Sequence, residues 1–204
     1  MKIKVLIQGI KTFKSWIKWL LGRYYLLLHK EMTFRLRNGL SFRFLYPRDS
    51  LQAFQQVFIE KVYNKHYEVK IDDYVVDIGA SIGDFAVKCA DEGAYVYAFE
   101  SDQVIFDLLI KNRNLRMVIG NYEIKNDKLF ANLPKIDLLK MNCFGSEREI
   151  LRNTTQETFN KIRNIAMEWR GELDGIGDFL LTKGFKKVYT TYRSPKLYWV
   201  YGKK

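Results

Sequence analysis

Apolar residues at Ile3, Leu6, Ile10, Phe13, Ile17, Leu20, Tyr24 and Leu27 recur at spacings that alternate between three and four. That period lays a single apolar stripe along a helix. Trp16, Trp19, Leu21 and Leu28 widen the stripe, while Lys4, Lys11, Lys14 and Lys18 fall off it. The pattern predicts one basic amphipathic helix over residues 1–30. Gly22 is its weak point, because glycine costs a helix about 1 kcal/mol relative to alanine. The period then drops to two: Phe34 and Leu36, then Leu40, Phe42 and Phe44, alternate with polar residues around Asn38-Gly39. Asn-Gly supplies the pair of positive φ angles that a type I′ turn requires, so residues 32–46 predict a β-hairpin. Helical spacing returns with Leu51, Phe54, Val57, Phe58 and Val62, predicting a helix over 50–67.

Beyond residue 73 short apolar runs alternate with helical stretches. Strands are predicted at 74–78, 95–100, 136–141 and 165–169, and helices at 83–90, 102–114, 146–152 and 178–183. Gly184 is a fitting stop for the last helix. The aromatic-rich runs Val188–Tyr192 and Leu197–Tyr201 flank Ser194-Pro195 and read as a closing antiparallel pair. Strand–helix alternation followed by a hairpin predicts an α/β fold: a doubly wound, Rossmann-like, mostly parallel sheet with a C-terminal antiparallel strand pair. The N-terminal hairpin and the amphipathic helix precede it. The helix is expected to be one unit, residues 1–30, and residues 31–204 another.

The densest chemical signal is D-Y-V-V-D-I-G-A-S-I-G-D-F-A over residues 73–86. A strand ends in Asp77-Ile78-Gly79, turns through Ala80 and Ser81, and Gly83 opens a helix. Gly79 permits a sharp turn, and Gly83 is expected to let the backbone approach a ligand. The first amides of the helix would then face that ligand. A second strand ends in Glu100, 17 residues after Gly83, followed by Ser101. An acid there can accept both ribose hydroxyls of a nucleoside. The G-x-G-x-x-G pattern of dinucleotide sites fails, since position 81 is Ser, and the G-K-S/T of a phosphate loop is absent. The remaining common user of such a site is S-adenosylmethionine. Asp77, Gly79, Ala80, Ser81, Gly83, Glu100 and Ser101 are therefore candidate cofactor-binding residues.

Charge and composition change this picture at the N-terminus only. The net charge of +11 is uneven: residues 1–70 hold 14 Lys and Arg against 4 Asp and Glu, and residues 71–204 hold 20 against 19. The excess points to something that the N-terminus touches. Three targets fit the helix: its own domain or a second copy of the chain (a homo-oligomer), an anionic membrane surface, or nucleic acid, for which there is no strong signal. Lysines interrupt the apolar stripe and no small-residue cleavage site follows, which excludes a signal peptide. No charge-free run is long enough for a clean bilayer span of about 20 residues. Cys89 and Cys143 lie 54 positions apart, which excludes a zinc ribbon or disulfide scaffold. Sparse cysteine suits a reducing cytosol, hence a cytoplasmic protein, peripheral to a membrane if the helix docks there.

Six segments carry a family resemblance. VVDIGASIGDFA, YAFESDQVIFDLLIKN and IDLLKMNCFGSEREIL, with FRLRNGLSFRF before them and NIAMEWR and GFKKVY…YWVYGKK after them, resemble the FkbM-type S-adenosylmethionine-dependent methyltransferases. The likeness spans roughly residues 32–204. It implies a methyltransferase domain that moves a methyl group to a hydroxyl, often of a sugar or a glycan-linked natural product. Two departures stand out. Where that family reads L-K-I-D-x-E-G-x-E, Lys140, Gly145 and Glu147 match, but Asn142 replaces the Asp and Phe144 the first Glu. Only 36 residues separate Glu100 from Asp137, so the wall over adenine is expected to be trimmed.

On the acceptor side, the ends of the fourth and fifth strands border the cofactor crevice. Glu168, Asn142 and Lys140 are the candidate catalytic residues. Glu168 is the candidate base, Asn142 can hydrogen-bond an acceptor, and Arg170 can bind an anionic one. His66 precedes the cofactor strand and can reach the crevice; His29 is the only other histidine. No metal cluster is legible. Two functions follow: an O-methyltransferase acting on a small-molecule or glycan acceptor, or a non-catalytic relative that serves as a binding or membrane-surface module. An N-methyltransferase with Asn142 near Phe144 is a third, less well matched to the spacing.

Overall fold

The computed structural model describes residues 3–22, 32–45, 47–121, 125–173 and 175–204. Helices α1 (Ile3–Thr12) and α2 (Trp16–Leu21) lead into a two-stranded hairpin, β1 (Met32–Arg35) and β2 (Ser41–Phe44), followed by α3 (Pro47–Phe58). The main body is β3 (Tyr74–Ile78), α4 (Asp84–Asp91), β4 (Tyr95–Phe99), α5 (Gln103–Asn112), β5 (Met117–Gly120), β6 (Leu138–Met141), α6 (Glu147–Asn153), α7 (Gln156–Lys161), β7 (Asn164–Arg170), α8 (Ile176–Thr182), β8 (Lys187–Ser194) and β9 (Leu197–Lys203). Its seven strands are ordered β5-β4-β3-β6-β7-β9-β8. Pairing is parallel from β5 through β7, and β9 runs antiparallel to both of its neighbours. This is the doubly wound, mostly parallel sheet with a C-terminal antiparallel pair that the strand–helix alternation predicts.

The sheet buries a separate core on each face. Val75, Val96, Ala98, Leu138 and Ala166 pack under α3, α4 and α5, and Val76, Ile78, Leu139, Met141, Ile165 and Met167 pack under α6, α7 and α8. Strands covered on both faces need continuous apolar runs, which is how β3 and β6 read.

The N-terminal stripe does not form one helix. Phe13 bridges to Leu36 of the hairpin, and the amides of Lys14 and Ser15 both donate to the Arg35 carbonyl. Arg37 returns the contact, donating its amide to Thr12 O and its Nε to Ile10 O. Backbone groups that would have continued the helix are thus spent on the hairpin, so the stripe breaks at residues 13–15, and α2 ends at Leu21 with Gly22 as its cap. Phe13 and Trp19 turn inward to an aromatic core with Phe34, Phe42, Phe44, Phe54 and Phe58. Phe54 is its hub, with the rings of Phe13 at 5.3 Å, Phe42 at 5.0 Å, Phe44 at 5.1 Å and Phe58 at 4.6 Å. Tyr24, Leu27, Leu28 and His29 lie outside the described residues.

Helix α3 is also shorter than its period suggests. The amides of Ile59 and Glu60 both donate to Gln55 O, and the Gln55 side chain holds the Glu60 carboxylate at 2.6 Å. Lys61 then takes a left-handed φ of 49°, and a short 3-10 turn carries Val62 and Tyr63 beneath the sheet edge. The Tyr201 hydroxyl fixes that turn by donating to Val62 O at 3.0 Å. Helix α7 escapes the apolar pattern because it is set by its cap: the Thr155 hydroxyl accepts from the Thr158 amide.

Candidate active site

The residues singled out by sequence gather where β3, β4, β6 and β7 end. The turn after β3 is stitched to both neighbouring strands. The amides of Gly79 and Ala80 both donate to Phe99 O at 2.9 Å. The Ser81 amide donates to Glu100 Oε2 at 2.8 Å, with Ser81 itself at a φ of 52°. On the other side Lys140 Nζ donates to Gly79 O at 2.7 Å. Gly79 has a φ of 71°, and a Cβ built there would collide with the Asn142 carbonyl. Glycine is required because two strand ends meet closely, which reserves the position for a residue without a side chain.

Gly83 opens α4 close beside α5. Its φ is 86°, and a Cβ there would lie 2.6 Å from Leu109 Cδ1. The missing side chain makes room for α5. Asn112, which carried no sequence signal, holds the same turn from α5. Its Nδ2 donates to Ile82 O at 2.9 Å, and its Oδ1 accepts from the Arg43 amide at 2.9 Å, tying the turn to the hairpin.

Glu100 accepts three amides: Ser81 on Oε2, and Ser101 at 2.9 Å and Asp102 at 3.0 Å on Oε1. A carboxylate offers about four lone-pair sites. The turn therefore occupies most of them, and Glu100 is left with room for one further strong donor rather than two. Ser101 is exposed at the lip.

Beneath the turn lies a buried polar cluster. Lys140 Nζ sits 2.6 Å from Asp77 Oδ1 and 5.2 Å from the Tyr63 ring centre. Asn142 Nδ2 donates to the Tyr63 hydroxyl at 3.2 Å. Burial pushes the Tyr63 hydroxyl up to about 12, the neighbouring Lys140 working against it. Burial also raises Asp77, partly offset by Lys140, and lifts Asp84 to about 6. Burial opposes the charge on Lys140, but Asp77, Tyr63 and Asp84 outweigh it and hold the ammonium above its usual range. Asp77 Oδ2, Asp84 Oδ2 and Asn142 Oδ1 are buried with no hydrogen-bond partner among the described residues. Tyr63 is a site residue that periodicity hides, because it falls in the stretch read as the tail of α3.

On the β7 side, Glu168 is buried between two guanidinium groups. Arg170 Nη2 donates to Oε1 at 2.6 Å, and Arg193 Nη1 holds Oε2. Each arginine also stacks on a ring: Arg170 over Phe144 at 4.7 Å and Arg193 over Trp199 at 5.2 Å. A carboxylate with both oxygens in ion pairs is a poor base, since a proton must arrive against two positive charges. The geometry thus makes Glu168 an organiser of arginines. Phe144 is 79% exposed at a φ of 53°, a strained conformation for an aromatic residue. Glu147 fixes that loop, accepting from the amides of Cys143 at 2.6 Å and Gly145 at 2.9 Å. His66 does not enter the crevice: it stacks on Tyr189 at 4.2 Å and packs at a tilt on Tyr201 at 4.6 Å. The segment before β6 is drawn toward α6 and α7, with Asp127 accepting from Thr155 and Lys125 O accepting from Asn153.

No family model matches the sequence, and no curated protein does. Solved structures do match. The METTL16 methyltransferase domain superposes with a TM-score of 0.56 at 15% identity, over 95% of this chain and 97% of that one. M. capricolum TrmK, solved with S-adenosylhomocysteine, gives 0.55 at 16% identity over 71% of this chain. The T. thermophilus ribosomal RNA methyltransferase RsmC, solved with AdoMet and guanosine, gives 0.54 at 15% identity over 86% of this chain. The match covers 66% of the TrmK chain, just under two thirds, and 50% of RsmC. The fold is that of the class I methyltransferases.

Proposed function

We propose that the chain is an S-adenosylmethionine-dependent methyltransferase acting on an oxygen nucleophile, a hydroxyl of a sugar or glycan-linked acceptor, in the manner of the FkbM type. The observation that carries the cofactor half is the set of open acceptor oxygens under the glycine turn, Asp77 Oδ2 and Asn142 Oδ1. Leaving such atoms buried without donors costs about 1–3 kcal/mol each, so the site suits a ligand that brings donors. An α-ammonium brings three, with a positive charge. With Asp77 and Asp84 ionised against Lys140, the cluster carries −1 and favours a cationic ligand. The open acceptor site on Glu100 suits one ribose hydroxyl.

When bound, the cofactor supplies a methyl group already activated on a sulfonium; the chain's own task is position. Asn142 offers the acceptor a hydrogen bond at the strand end. Arg170 and Arg193 share one carboxylate and leave a net positive charge beside Phe144, which favours an acceptor bearing a negative group. Asn142 and the pinned Glu168 also support a second reading, a relative that binds the cofactor without turnover.

Calorimetric titration with S-adenosylmethionine and S-adenosylhomocysteine tests the cofactor. Absence of binding by a folded chain removes both readings. Labelled S-adenosylmethionine with a crude glycan extract, for wild type, Asn142→Asp and Glu168→Gln, separates them. Transfer by wild type supports the enzyme. Transfer only by Asn142→Asp supports the non-catalytic relative.

A further inference from the structure

The break in the N-terminal stripe has sorted its residues. Phe13 and Trp19 enter the core, and Val5, Leu6 and Trp16 pack against it. Five large aliphatic residues of α1 and α2 have no such role: Ile3 is 74% exposed, Ile7 48%, Ile17 54%, Leu20 39% and Leu21 40%. Lys4, Lys11 and Lys18 are exposed on the same two helices, and Lys14 in the turn between them. None of the four pairs with a carboxylate among the described residues, and residues 1–30 contain no Asp or Glu at all.

The two helices form one unit. Gly9 of α1 is buried against the Trp19 ring of α2, where a Cβ would overlap the indole. The ring therefore lies directly on the α1 backbone, and Phe13 and Trp19 pack together at 5.3 Å. The hydrogen bonds from Arg37 and to Arg35 fasten this pair to the hairpin. Aliphatic side chains and unpaired lysines are thus presented on a braced support.

We propose that α1 and α2 form a preformed platform that docks the protein on an anionic lipid bilayer, the aliphatic residues entering the interface and the lysines meeting lipid headgroups. Exposed aliphatic residues ringed by cations are the composition of an interfacial helix. The alternative occupants fit less well. A second copy would bring lysines against lysines in a symmetric contact. Nucleic acid would satisfy the lysines and leave five aliphatic side chains uncovered.

The test is sedimentation of the full chain with vesicles of phosphatidylcholine alone or mixed with phosphatidylserine, at low and high ionic strength. Binding to the serine-containing vesicles alone, weakened by salt, is expected. Lys11→Gln combined with Lys18→Gln should lower the partition coefficient about fivefold per lysine, the ratio equivalent to about 1 kcal/mol each. Ile7→Ser combined with Leu20→Ser should lower it about tenfold or more, with an unchanged unfolding midpoint because both side chains are exposed. Equal binding to neutral and anionic vesicles overturns the proposal, as does no binding by wild type. So does a dimer in sedimentation velocity that the Ile7/Leu20 variant abolishes.

Discussion

The two halves of the sheet edge are built on opposite principles. At the ends of β3 and β4 the chain is held by backbone fit: the Phe99 carbonyl, the turn amides and the Glu100 carboxylate close on one another, and Gly79 has no room for a side chain. At the ends of β6 and β7 it is held by charge, with Glu168 between two arginines and Lys140 reaching across to Asp77. Backbone fit fixes the shape of the turn, with Glu100 as its one charged group. Charge leaves a rim that can be retuned by substitution, and it is on this rim that the chain departs from the FkbM pattern, at Asn142 and Phe144.

The sharpest break of that contrast is Gly79→Val. It combines a collision with the Asn142 carbonyl and a left-handed φ, and is expected to cost about 4 kcal/mol or more, read by urea unfolding. Gly145→Ala is the control: its φ is 116° but a Cβ there meets open space, so only the backbone strain of about 1–2 kcal/mol should appear. On the charged rim, Glu168→Gln strands two guanidinium groups and should cost about 3 kcal/mol of stability at low salt, less at high salt. If Glu168→Gln leaves stability untouched and abolishes methyl transfer, the carboxylate is the base after all.

Glu100→Ala lies between the two principles, since a charge there serves the backbone. Loss of three amide partners should weaken S-adenosylhomocysteine by about 10–100-fold in calorimetry and lower the unfolding midpoint together. A midpoint shift with unchanged affinity would confine Glu100 to the turn. The smallest effect is expected at Asp84. Its pKa is about 6 in the fold against 3.8 outside it, so its protonated form favours folding. That contribution is complete below about pH 4 and gone above about pH 6, so stability falls as pH rises through the window. Asp84→Asn should flatten this slope and stabilise the protein by about 1–2 kcal/mol at pH 7.

What the sequence discloses follows the same division. Strand periods, Gly79 and the acid at Glu100 were legible because local geometry dictates them: a run of apolar residues, a sharp turn and a fixed interval to the next strand end. The order of β8 and β9 in the sheet was not, because both orders present the same aromatic runs. Nor was the contact of Gly83 with Leu109, because a glycine beside a ligand and a glycine beside a side chain look alike in one dimension. Tyr63 and Asn112 reach the site from elements that merely pass it. The arginines around Glu168 come from positions 170 and 193, and no pattern joins them until β9 brings their strands together. The stripe of α1 and α2 had the right residues and the wrong continuity, since periodicity is blind to a hairpin that claims the helix's own amides.

Strand β9 occupies the sheet between β7 and β8, although it is made after both. Strands β8 and β9 can pair locally as a hairpin through the turn between Ser194 and Leu197, and that hairpin must dock on β7 through β9. Until then β7 presents an open ladder of unpaired amides and carbonyls, the kind of edge that recruits other chains. Both pairings that close it span the full length of β9, from Leu197 to Lys203. The same insertion carries Trp199 and Tyr201 toward the 3-10 turn beneath the sheet edge, where Trp199 packs on Tyr63 and Tyr201 holds Val62. One strand therefore both closes the β7 edge and packs on Tyr63, and a chain in which β9 fails to dock would expose both.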